Sequence, residues 1–137
     1  MTSNTKPIGV AFEDQNIIGP DFILSDSQLG YTAAAQGTVT QATDKSTAVT
    51  LNKSAGRITM NGAALAAGAA ASFTLNNSFI SANDIVITNI SAGGTAAAYT
   101  TYVSSMTTGS AVITLRNLSA GSLSEAVVVN FALIHCV

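Results

Sequence analysis

Tryptophan is missing from this chain, and cysteine and histidine occur once each, as Cys136 and His135. A single cysteine excludes an intrachain disulfide and any multi-cysteine metal site. Charge is scarce as well: Asp, Glu, Lys and Arg make up 9% of the residues, against about 25% in an average globular protein. A disordered chain needs high net charge and few bulky apolar groups, so disorder is excluded as a description of the whole. The net charge of −2 offers no basic footprint for nucleic acid. No apolar run reaches the roughly 18–20 residues of a membrane-spanning helix, so no membrane partner is expected. The N-terminus lacks a basic stretch followed by an apolar core. The expectation is a protein that stays where it is made unless packaged in a larger particle. A free monomer with so little charge risks association. The composition therefore points to an oligomer or a lattice component whose surface is covered by neighbours.

What the chain does have is Ala, Thr, Ser and Gly, arranged in two different ways. Residues 1–36 are punctuated by Pro7, Pro20, Gly9, Gly19 and Gly30. They carry Glu13, Asp14, Asp21 and Asp26 against Lys6, a net of −3. Short apolar bursts at 8–12, 17–18 and 22–24 alternate with these acids, and no helical period persists. The segment reads as an extended arm that adds one or two short strands. Its apolar residues Ile8, Val10, Phe12, Ile17, Ile18, Phe22, Ile23 and Leu24 are the candidate attachment residues, suited to docking on the chain's own body or on a neighbour.

From Gly37 onward, β-branched and aromatic runs come at regular intervals, separated by Gly, Asn, Ser and Asp. Strands are expected near 37–41, 47–52, 56–61, 71–76, 84–90, 98–105, 110–117 and 126–134. Val49 and Leu51 share a face, as do Ile58 and Met60, Phe73 and Leu75, and Ile113 and Leu115. A period of two turns each pair inward and the intervening Thr, Ser or Arg outward. Segments 84–90 and 126–134 are more continuously apolar. They read as central strands covered on both faces, one of them by a partner subunit. The Ala-rich stretch 63–71 is too short, and too interrupted by Gly68, to hold a helix alone; a turn is expected. The fold class is all-β: an antiparallel β-sandwich or jelly-roll-like barrel of about eight short strands in a body of residues 37–137, preceded by the arm.

Little in the chain reads as chemistry. His135 and Cys136 are adjacent, and neighbours in a strand point to opposite faces, so they do not readily meet one proton or one metal. They read as the last residues of a core strand, with Cys136 a small apolar filler. No Gly-x-Ser-x-Gly elbow occurs. Gly93-Gly94-Thr95 and Gly62-Ala63-Ala64 lack the spacing and lysine of a phosphate-binding loop. Catalysis, a cofactor and a metal are therefore not expected. One phrase recurs: Asn52-Lys53-Ser54-Ala55-Gly56, Asn89-Ile90-Ser91-Ala92-Gly93 and Asn117-Leu118-Ser119-Ala120-Gly121 all read Asn-x-Ser-Ala-Gly. Each reads as a strand running into a turn that Asn and Ser cap through side chain–backbone bonds. Gathered at one end of a sandwich, such loops would instead suit a glycan. Tyr31, Tyr99 and Tyr102 lack the basic neighbours of a stacking platform. Tyr99 and Tyr102 fall on opposite faces of one strand, so at least one belongs to packing.

A resemblance takes the reading further. Gly37-Thr38-Val39-Thr40-Gln41 is followed by Lys45-Ser46-Thr47, Val49-Thr50-Leu51-Asn52-Lys53 and Ile58-Thr59-Met60-Asn61. Ala64-Leu65-Ala66-Ala67-Gly68, Asn89-Ile90 and Gly93-Gly94-Thr95-Ala96 come next. Ser119-Ala120-Gly121-Ser122-Leu123-Ser124-Glu125-Ala126 and Val129-Asn130-Phe131-Ala132 complete the series. Together they resemble small Ala/Thr/Ser-rich β proteins of tailed-bacteriophage virions, which include capsid decoration (cement) proteins, head fibres and tail-fibre modules. The resemblance covers nearly the whole body but not the arm. It implies assembly rather than chemistry. The expected role is a decoration protein, made in the host cytoplasm and carried on the capsid surface of the virion. Its expected partners are the major capsid protein and further copies of itself, a trimer ahead of a dimer. The alternative is a head-fibre or tail-fibre module that binds a host-surface glycan or receptor.

Overall fold

A computed structural model describes residues 30–136. Eight strands form in chain order: β1 Gln36–Thr40, β2 Val49–Thr50, β3 Ala55–Thr59, β4 Ala70–Asn76, β5 Ile85–Ala92, β6 Tyr99–Thr107, β7 Ser110–Asn117 and β8 Val128–Ile134. They make two four-stranded sheets. The first runs β1-β3-β8-β5 and the second β2-β4-β7-β6. The protein is thus an all-β sandwich, with a strand at each of the eight places where the sequence led one to be expected. Among the described residues the only helical piece is one 3-10 turn, Ala33–Ala35. The Ala-rich stretch is a turn, closed by the Ala69 N–H on the Ala66 carbonyl at 3.1 Å.

The alternation carries through to burial. Ile58, Met60, Phe73, Leu75, Ile113 and Leu115 all face the space between the sheets, joined by Val127, Val129, Phe131 and Leu133. Sealing each such side chain from water is worth about 1.5–3 kcal/mol. Leu51 lies beyond the end of β2 and fills a notch made by Gly37 and Gly56, which are register partners on β1 and β3. A methyl group on Gly56 would stand 2.6 Å from a Leu51 methyl and 2.9 Å from both the Gly37 carbonyl and the Phe131 ring. Glycine is required there by contact rather than by backbone conformation.

Three features depart from the sequence reading. First, the sandwich is not purely antiparallel: β1–β3 and β2–β4 are parallel pairs, while β3–β8, β4–β7, β5–β8 and β6–β7 are antiparallel. Parallel neighbours need a crossover, and here the crossover is a strand of the opposite sheet. β2 links β1 to β3, and β3 links β2 to β4. Second, β5 is an edge strand, not a central one. Its outward residues Ile85 and Ile87 are exposed. Only β8 has the central place that its apolar run implied. Third, the compact body begins at Tyr31, ahead of the Gly37 boundary read from composition. The Tyr31 hydroxyl donates to the Leu133 carbonyl. Gln36 Nε2 donates to the Tyr31 carbonyl at 2.9 Å, and Lys53 Nζ to that of Ala34 at 2.8 Å.

Candidate functional site

The candidate attachment residues Ile8, Val10, Phe12, Ile17, Ile18, Phe22, Ile23 and Leu24 lie outside the described residues. The body itself offers two polar clusters and one unusual surface.

The first cluster joins the ends of β5 and β8. Asp84 directly precedes β5, and antiparallel pairing sets that end of β5 against the end of β8. One Asp84 oxygen accepts from His135 Nδ1 at 2.9 Å and from the Ser81 N–H at 2.8 Å. The other accepts from the Cys136 N–H at 3.1 Å. These donors, the Ser81 N–H foremost, hold the Asp84 carboxyl well below the usual range, at about 2. A nucleophile served by this imidazole would have to sit against Nε2, because Nδ1 is taken by the Asp84 carboxylate. The arrangement fastens a strand end. His135 and Cys136 do converge after all, on a shared carboxylate. Both lie beyond the end of β8, and Cys136 is exposed rather than a core filler. A sequence signal was available: an acid immediately before one apolar strand and the only histidine immediately after another.

The second cluster closes the opposite side of the body around Lys45, which is buried. Its Nζ donates to the backbone carbonyls of Asn61, at 2.5 Å, and Glu125, at 2.6 Å. Gln41, also buried, donates through Nε2 to the Lys45 and Thr47 carbonyls and accepts the Asn61 N–H. Burial lowers the Lys45 pKa, and the Glu125 charge partly restores it. The Glu125 carboxylate accepts the Thr95 hydroxyl at 2.8 Å and its N–H at 3.2 Å, which lowers its own pKa. Tyr99 is buried nearby, and burial followed by the adjacent carboxylate pushes its phenol to about 12. One buried ammonium so ties two loops, through the Asn61 and Glu125 carbonyls, to its own. Nothing in the sequence around Lys45 distinguishes it from a surface lysine. Among the described residues no group of three His, Cys, Asp or Glu side chains could hold a metal ion.

The three Asn-x-Ser-Ala-Gly phrases take three different structures. Asn117 is fully buried. Its Nδ2 donates to the Leu65, Ala66 and Gly121 carbonyls, and its Oδ1 accepts from the Ser119 N–H and hydroxyl. This one is the capped turn that was expected. Asn52 sits past β2 and accepts the Ser78 N–H. Asn89 lies inside β5, where the register shifts between Ile90 and Ala92. Gly93 follows with φ +74, and a Cβ there would collide with the Ala126 carbonyl. Nor are the phrases gathered at one end. Asn52 adjoins the end of β4, and the Asn117 N–H bonds Ala69 just before its start. The full length of β4, roughly 20 Å at 3.3 Å per residue, separates them. Of the tyrosines, Tyr99 is core while Tyr102 is exposed on the other face of β6, as the spacing implied.

The unusual surface is the outer face of the first sheet. By register, Thr38, Arg57, Asn130 and Asn89 form one row across it. Gln36, Ala55, Ala132 and Ile87 form the next, and Ile134 pairs with Ile85 beyond. The β1–β3–β8 side holds a shallow depression of about 340 Å³ that Gln36, Thr38, Arg57 and Asn130 help to line. The β5–β8 side is aliphatic and exposed. No protein-family model matches the chain, and no curated protein or solved structure matches it either.

Proposed function

We propose that the chain is a virion structural protein of a tailed bacteriophage, a capsid decoration protein that binds the outside of the head and stabilises it. The observation that carries this reading is the near absence of surface charge. Seven charged residues lie among the described ones, and only Asp44, Arg57 and Arg116 are exposed. Lys45 and Asp84 are buried, and Lys53 and Glu125 are partly so. A surface this neutral serves a protein that spends its life against neighbours. The partners are the major capsid protein and further copies of this chain, a trimer ahead of a dimer. The resemblance noted above supports the same assignment. The separation of the Asn-rich phrases weighs against the fibre alternative, because it removes the loop cluster that a glycan would need.

Such a protein acts by mass action: a ligand that binds only the assembled shell shifts the equilibrium toward it. Weak contacts suffice when symmetry repeats them, since each bound contact raises the effective concentration of the next. The test is co-sedimentation of the full-length protein with heads lacking it, followed by heating of the decorated heads. Saturable binding and a higher temperature of head disruption are expected. Heads that neither bind the protein nor gain heat resistance would overturn the proposal.

A further inference from the structure

The outer face of the first sheet is unfinished as a solvent surface. Ile85, Ile87 and Ile134 are 51%, 52% and 47% exposed in a single copy. They stand together, Ile85 opposite Ile134 and Ile87 opposite Ala132. Neither β5 nor β8 carries a charged residue, so these strands lack the side chains that usually keep a neighbouring chain away. β5 also ends the sheet. Among the described residues its far side has no strand of the same sheet to pair with.

The sequence ahead of the described body identifies the cover. Residues 1–29 precede it, and the chain enters the body at Tyr31, whose hydroxyl bonds the Leu133 carbonyl beside Ile134. That leading stretch holds Ile8, Val10 and Phe12, and again Phe22 and Leu24. Alternate residues of an extended chain project to one side. The stretch is also acidic, whereas the charge standing in the outer rows of the first sheet is the exposed cation Arg57. Signs therefore match as well as polarity. A chain that assembles with copies of itself can take this cover from a neighbouring copy. We propose that residues 8–24 of one copy dock on the β5–β8 outer face of the next, their apolar side chains over Ile85, Ile87 and Ile134. A contact that gives an arm to one neighbour and accepts an arm from another closes into a ring where the rotation between copies returns to the start, and otherwise runs on as a filament.

The inference rests on the reading of this chain as an assembling protein, but its test needs no phage head. Failure here would leave the head-binding experiment untouched. Two full-length populations are mixed. One carries Phe12→Cys with Cys136→Ser. The other is unaltered and presents Cys136, which is exposed and bonded through its N–H to Asp84 at the start of β5. A short bis-maleimide should join them into a covalent heterodimer. Moving the acceptor thiol to the second sheet, with Cys136→Ser and Thr50→Cys, should lower the yield about tenfold, and Ile87→Glu in the unaltered population should do the same. Ile87→Thr serves where the charged variant loses its strand circular-dichroism signal. Three results would each overturn the proposal. One is a crosslink indifferent to both Ile87 variants. Another is a bond formed only within one chain when Phe12→Cys and Cys136 share a polypeptide. The last is no heterodimer at all.

Discussion

The two sheets solve the same problem on their outer faces in opposite ways. On the second sheet Ser72, Thr114 and Ser104 form a hydroxyl ladder across β4, β7 and β6, at 2.8 and 3.0 Å. Thr114 is so well enclosed by it that it is buried on an outward-facing position. At those three positions the face satisfies itself. On the first sheet the corresponding places at the β5–β8 end hold isoleucines with no polar partners and no cover among the described residues. Both faces pack against one shared core, so core stability cannot account for the difference. A face that bonds its own hydroxyls is finished as a monomer. A face of bare isoleucines is where the docking proposed above would fall.

Substitutions on neighbouring residues of one strand give the largest separation. Leu133→Ala opens a cavity in the core and should cost about 2–5 kcal/mol in chemical denaturation. Ile134→Ala, one residue on and facing outward, should leave monomer stability within about 0.5 kcal/mol. Equal losses would show that the outer face is packed within the single chain. Next in size is Gly56→Ala, which presses a methyl into Leu51, the Gly37 carbonyl and Phe131. It should cost about 1–3 kcal/mol by the same measurement; a neutral result would mean that the notch can widen.

On the second sheet, Thr114→Val removes the middle of the hydroxyl ladder and should cost about 1 kcal/mol. A double-mutant cycle with Ser72→Ala assigns the loss to the bond between them. The most local effect is a pH dependence at the end of the first sheet. The folded pKa of Asp84 is depressed from 3.8 to about 2. Its stabilisation is therefore present above the unfolded value and is lost as pH falls from about 4 towards 2. Hydrogen exchange at β5 should accelerate across that window ahead of β7, and Asp84→Asn should abolish the difference.

The alternation of apolar and hydroxyl residues made several strands legible, because a sandwich core rewards one face of each strand and the sequence records that reward residue by residue; the others were marked by apolar or β-branched runs between turn residues. Ile58 with Met60 and Ile113 with Leu115 are plain examples. The position of β5 was not legible. Ile85 and Ile87 read the same whether a sheet, a partner or nothing covers them, since hydropathy states what a side chain avoids and not what it meets. The parallel pairs were hidden for a related reason: which strands become neighbours depends on crossings between sheets, and these leave no local mark. Lys45 was missed because its partners are the backbone carbonyls of Asn61 and Glu125, and a carbonyl has no letter in the sequence. The three Asn-x-Ser-Ala-Gly phrases show the reverse error. Identical letters took different structures because β5 continues through one of them.

The crossing of the chain between sheets has a consequence for when the protein can exist. Only β6 and β7, joined through Gly109, are sheet neighbours in direct succession. Every other pairing joins strands with at least one other strand between them in sequence, an ordering that slows folding because loop closure precedes reward. β8 lies between β3 and β5, yet it follows both in synthesis. Until residues 128–134 have left the ribosome, β5 has no partner in its own sheet. The isoleucine face therefore comes into being only when the body is nearly complete, so the docking proposed for it would be closed to nascent chains.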